Sequence, residues 1–119
     1  MPDDLQINLA RGLVQIRSFG VVTTENITAS IKKTEEAFKL HGINKLLVDT
    51  TEQEQMPRIL GIFNIFSTFP KHISLALYAK KNQITEEDII FAETVAVNRG
   101  LNMKIFYTMA EALKWLDQF

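Results

Sequence analysis

The chain contains no cysteine, which excludes disulfides, thiolate metal sites and cysteine nucleophiles together. Histidine is nearly as scarce. His41 and His72 are the only two, and neither has an i,i+4 partner with which to share a metal ion. The five glycines are scattered, so no glycine-rich loop is present to cradle a phosphate. Ser18, Ser30, Ser67 and Ser74 lie in no nucleophile-elbow context. No apolar run approaches the ~20 residues of a spanning helix. The longest, residues 59–69, is broken by Gly61, Asn64, Ser67 and Thr68. Neither sign of charge prevails either: 13 Lys and Arg stand against 14 Asp and Glu, a net charge of −1. Nucleic-acid binding needs clustered cations, and the pairs Lys32-Lys33 and Lys80-Lys81 are isolated. The start, Met1-Pro2-Asp3-Asp4, lacks the cationic and apolar regions of a signal peptide. These absences predict a soluble cytoplasmic protein that is not an enzyme, with no cofactor, no nucleic-acid partner and no membrane-spanning segment.

What is present is an ordinary globular composition, 46% hydrophobic and 23% charged over 119 residues. That length suits one domain, 1–119, burying roughly two-thirds of its unfolded surface without covalent staples. The pattern alternates between strand and helix. Leu5 to Leu9 and Leu13 to Ser18 alternate apolar and polar residues about the turn residues Arg11-Gly12, the signature of a hairpin, and Gly20 closes that pattern. Ile27, Ile31, Thr34 and Phe38 recur at helical spacing behind a cap at Thr23 or Thr24, and His41-Gly42 supplies the stop. Lys45 to Asp49 and Ile73 to Tyr78 are short buried strands. Between them come a polar loop, Thr50 to Gln55, and a second helix opened by Pro57. Thr85-Glu86-Glu87-Asp88 and Thr108-Met109-Ala110-Glu111 are capping boxes. The helix that follows Thr85 reaches Arg99 and Gly100. Asn102 to Phe106 is a last strand, and the last helix buries Met109, Ala112, Leu113 and Leu116.

The order is therefore β-β-α-β-α-β-α-β-α. It predicts an α/β superhelix around a mixed, mostly parallel five-stranded sheet whose first hairpin is antiparallel. Several strands alternate instead of running continuously apolar, so the helices are expected mainly on one face. Glu93, mid-helix among Ile90, Phe91, Ala92 and Val97, is expected to make a buried structural hydrogen bond.

Leu46-Leu47-Val48-Asp49-Thr50, Phe91-Ala92-Glu93, Asn98-Arg99-Gly100 and the ending Glu111-Ala112-Leu113-Lys114-Trp115-Leu116 together resemble the STAS family of sulfate-transporter and anti-sigma-factor-antagonist domains. Within it, the chain is most similar to the stand-alone bacterial SpoIIAA-like branch grouped with Sec-fourteen lipid-binding domains. The resemblance implies a binding module without turnover, and a switch serine in an Asp-Ser-Ser-Gly-like turn after the third strand. The matching stretch is Asp49-Thr50-Thr51-Glu52-Gln53-Glu54. It makes Asp49, Thr50 and Thr51 the candidate switch loop. Its serines and glycine are replaced, and Glu52 and Glu54 would repel a phosphate, so control by phosphorylation there is not expected.

One apolar surplus calls for an explanation. Met56, Ile59, Leu60, Ile62, Phe63, Ile65, Phe66 and Phe69 fill an arc of roughly 220° on a helical wheel, where a core-facing helix needs a little over ~100°. The surplus faces neighbouring helices, a second copy in a homodimer, or a lipid or other apolar ligand. Met56, Ile59, Ile62, Phe63, Ile65, Phe66 and Phe69 are therefore the candidate partner or ligand surface. The leading expectation is a regulatory protein-interaction module that homodimerises through this helix. The alternative is a binder or sensor of a hydrophobic small molecule.

Overall fold

A computed structural model describes residues 3–21, 24–55, 72–82 and 84–119. Five strands form one sheet: β1 (Asp3–Asn8), β2 (Leu13–Val21), β3 (Lys45–Gln55), β4 (Ser74–Tyr78) and β5 (Asn102–Phe106). They lie side by side in chain order. β1 and β2 are the antiparallel pair, and every other pairing is parallel. The described helices are α1 (Thr24–His41), α2 (Glu86–Asn98) and α3 (Met109–Leu116). The helix expected over residues 56–69 lies outside the described residues.

The expected capping chemistry is present. The Thr85 hydroxyl accepts the Asp88 N–H at 3.1 Å, and the Thr108 hydroxyl accepts the Glu111 N–H at 3.2 Å, each satisfying a donor that the helix start leaves unpaired. α2 ends in a Schellman motif: Leu101 N–H reaches back to Ala96 O at 2.9 Å and Gly100 N–H to Val97 O at 3.1 Å. That geometry needs a left-handed residue at Gly100, where φ is +80°. α1 closes in the same way, with Ile43 N–H on Phe38 O at 3.2 Å.

The pleat separates two cores. On one face α1 and α2 pack Ile31, Phe38, Ala92, Val95 and Ala96 over Val14, Ile16, Leu46, Leu75 and Met103. Ala92 and Ala96, one turn apart and both buried, let α2 approach the sheet closely. Thr34 is also fully buried in α1; its hydroxyl donates to Ser30 O at 2.8 Å, which satisfies that buried polar group. On the other face α3 sets Ala112 and Leu116 over Leu13, Leu47, Ala76 and Phe106. The two long described helices thus share a face, and the short C-terminal helix crosses to the other. Among the described residues that second face is left open over β1 and the later part of β2, where Gln6 and Arg17 are exposed, as their alternation with apolar neighbours requires.

Two expectations are corrected. Gly20 does not end its strand: β2 continues to Val21. Its pairing with β3 slips between Arg17 and Phe19 and again between Gly20 and Val21. The φ of +70° at Gly20 marks the irregularity as a bulge that glycine tolerates without strain. Residues 50–55 are likewise no loop. They extend β3 to Gln55, with Phe19 opposite Glu52 and Gly20 opposite Gln53. Backbone pairing with β2 holds a segment whose side chains carry no hydrophobic period.

Candidate functional site

Parallel strands deliver their C-terminal ends to one rim, where open α/β sheets commonly place ligands. Here the strand register assembles a row across the whole sheet: Asp4, Arg17, Asp49, Tyr78 and Phe106 are successive partners on β1 to β5. The row lies on the face that α3 partly covers. Tyr78 and Phe106 pack against α3, whereas Arg17 projects from the uncovered part of the sheet. Its Nε stands 3.6 Å from Glu52 Oε2, both side chains about half exposed, and its guanidinium lies 5.7 Å from the Phe19 ring centroid. A pair so exposed contributes little to stability, about 0–1 kcal/mol.

The candidate switch residues occupy the middle of this rim. One Asp49 oxygen accepts both the Thr51 N–H at 2.9 Å and the Thr51 hydroxyl at 2.7 Å, an Asx-type arrangement that fixes the backbone. Thr50 is 2% exposed, and its hydroxyl donates to Tyr78 O at 2.9 Å. Asp49 and Thr51 are therefore bound to each other, and Thr50 is committed to the neighbouring strand. A kinase would have to strip Thr50 out of the inner strand β3 before reaching its oxygen. Phosphoproteomics of the native host is accordingly expected to find no stoichiometric modification at Thr50, and such a modification would contradict this placement.

The candidate partner surface, Met56, Ile59, Ile62, Phe63, Ile65, Phe66 and Phe69, lies outside the described residues. Glu93 is placed as expected: its Oε2 accepts the Ile105 N–H at 2.9 Å. It joins α2 to the sheet instead of facing the rim. His41 and His72 are both exposed. His72 adopts a left-handed φ of 65° and donates its N–H to Gly100 O at 3.0 Å. Among the described residues, no group of three or more His, Asp or Glu could hold a metal ion. None of the described helices is long and apolar enough to cross a membrane. Single-strand reading missed the row at Arg17 and Tyr78. Its signal lay in the parity of each strand, which becomes a row only once the inter-strand register is known.

No family model matches the chain, and no curated protein matches it. Among solved structures it is similar to an anti-sigma factor antagonist from Mycobacterium paratuberculosis. That likeness has a TM-score of 0.60 at 11% sequence identity and covers 96% of this chain and 93% of that one. With its five-stranded, mostly parallel sheet, the chain has the fold of an anti-sigma factor antagonist, the STAS architecture that its sequence resemblance implied.

Proposed function

We propose that this chain is a regulatory module of the bacterial cytoplasm that acts by binding a protein partner without turnover. The observation that carries the reading is the likeness to an anti-sigma factor antagonist over 96% of the chain, a protein whose name describes action on another protein. On this reading the contact is assigned to the apolar surplus that the sequence carries at residues 56–69, since aromatic and aliphatic side chains anchor protein interfaces. The test begins with affinity capture from the native host. The captured protein is then purified and titrated calorimetrically against this chain. Saturable one-to-one binding is expected, and Phe66→Glu should weaken it more than tenfold while leaving the circular dichroism spectrum unchanged. No saturable binding by any captured protein would overturn the reading. The same apolar surplus also supports a lipid or other hydrophobic ligand. A lipid-sized mass increment in native mass spectra of host-purified protein, lost in Phe66→Glu, would favour that alternative.

A further inference from the structure

The two edges of the sheet are treated differently. At the β5 edge, Asn102 and Phe106 turn their backbone groups towards β4 and its flanks, Asn102 N–H to Ile73 O and Phe106 O to the Ala79 N–H. By alternation Ile105 faces outward, and its N–H is the one taken by the Glu93 carboxylate. That edge is blunted by a helix side chain. At the opposite edge, β1 has no strand neighbour on its outer side among the described residues. It contains no proline and no lysine, its charged residues Asp3 and Asp4 stand only at its start, and its pairing with β2 is regular from Asp3 to Asn8 without a bulge. Two large apolar side chains are exposed there as well, Ile7 at 37% on the strand and Leu9 at 66% in its turn.

We propose that β1 is a homodimerisation edge, pairing antiparallel with β1 of a second copy to make one continuous ten-stranded sheet. The occupant is argued from self-complementarity. A two-fold axis through Gln6 sets Leu5 opposite Ile7 of the second copy, and Asp4 opposite Asn8. Leu5 already packs against the core shared with α1 and α2. The two Leu5–Ile7 pairs therefore extend that apolar layer across the axis and cover Ile7, as cross-strand pairs on one face do. No carboxylate meets a carboxylate in this register. Sliding by two residues to centre on Asp4 would oppose two aspartates, which disfavours the slip. Strand addition of this kind takes its affinity from main-chain hydrogen bonds and its register from side-chain pairs. The inference goes beyond the proposed regulatory binding and does not depend on it. It also places self-association on a surface other than residues 56–69.

The absence of native cysteine gives a direct test. The Gln6→Cys variant puts one thiol per chain beside the two-fold axis, so mild oxidation should convert it to a covalent dimer. Glu36→Cys, exposed on α1, should stay uncrosslinked under the same conditions. Light scattering on the unmodified chain should give about twice its 13.6 kDa mass. Ile7→Lys, which plants a charge in the new apolar layer, should return it to 13.6 kDa with an unchanged circular dichroism spectrum. A monomer at high micromolar concentration overturns the proposal. So does a dimer that resists Ile7→Lys, fails to crosslink in the Gln6→Cys variant and instead dissociates in Phe66→Glu. A β1 edge occupied only by a strand of another protein overturns it too. Loss of partner binding in the calorimetric test, with the crosslink retained, would separate failure of the regulatory reading from failure of this one.

Discussion

Leu47→Ala is expected to lower the stability of the domain by about 2–5 kcal/mol, the range for truncating a fully buried leucine. Leu47 is 0% exposed in β3, one of the inner strands of the sheet, and packs in the cluster of Leu13, Ala76, Phe106 and Leu116 beneath α3. Strands flank it on both sides: Gln15 on β2 and Ala76 on β4 are its register partners. The backbone around it has little freedom to collapse into the space, and the cost grows with the cavity that remains. Domains of this kind hold only about 5–15 kcal/mol in all, so the melting temperature should fall by roughly 8–20 °C. Leu40→Ala is the matched control. Leu40 is 78% exposed, and its truncation should stay within about 0.5 kcal/mol. Calorimetric or circular-dichroism melting of the two variants checks both. A Leu47→Ala protein melting within a degree or two of the parent would mean that α3 does not seal this face.

The same region shows what the sequence does and does not make legible. Local chemistry was readable wherever one residue type has one use. Thr85 and Thr108 are followed three residues on by carboxylates and do cap their helices, and Gly42 and Gly100 do close theirs. The hairpin was readable from alternation about Arg11-Gly12, whose turn Arg11 also clamps to Asp117 at 2.7 Å. The side chosen by α3 was harder. Its evidence was that Leu46 and Leu47 are both apolar, as are Ile73, Leu75 and Ala76, so the inner strands bury both faces. The alternation of β2 and β5 obscured that signal, because among the described residues only α3 packs on the second face. The polar end of β3 was not readable at all. Thr50 to Gln55 carries no hydrophobic period, and what makes it a strand is the neighbouring backbone of Phe19 and Gly20 across a bulge. Strand formation depends on partners distant in sequence in a way helix formation does not. The candidate site was legible to the same extent. Asp49, Thr50 and Thr51, expected as a switch loop, lie instead within β3. Their mutual bonds, and the burial that removes Thr50 from reach, follow from pairing with β2 and β4.

Glu93→Leu should destabilise the domain by about 1.5–3 kcal/mol, the magnitude of a hydrogen bond to a charged acceptor, even though it replaces a charge with an apolar side chain on a half-buried helix face. The reason is the group left behind. Ile105 N–H points out of the β5 edge, and its described partner is the Glu93 carboxylate. An amide left without its acceptor at this part-buried site costs more than the average exchanged hydrogen bond returns. Glu93→Gln keeps an acceptor oxygen at the same reach and should recover at least half of the loss, which a purely steric or helix-propensity effect would not reproduce. Urea unfolding gives the free energies, and the unfolding slope should stay unchanged because the surface exposed on unfolding is the same. Amide exchange at Ile105, followed by NMR, gives the local readout. It should speed up strongly in Glu93→Leu and only slightly in Glu93→Gln, while Lys104 and Phe106, which face β4, keep their protection. Equal exchange at all three positions in the leucine variant would mean that α2 shields this edge by packing alone, and that the carboxylate contributes nothing to it.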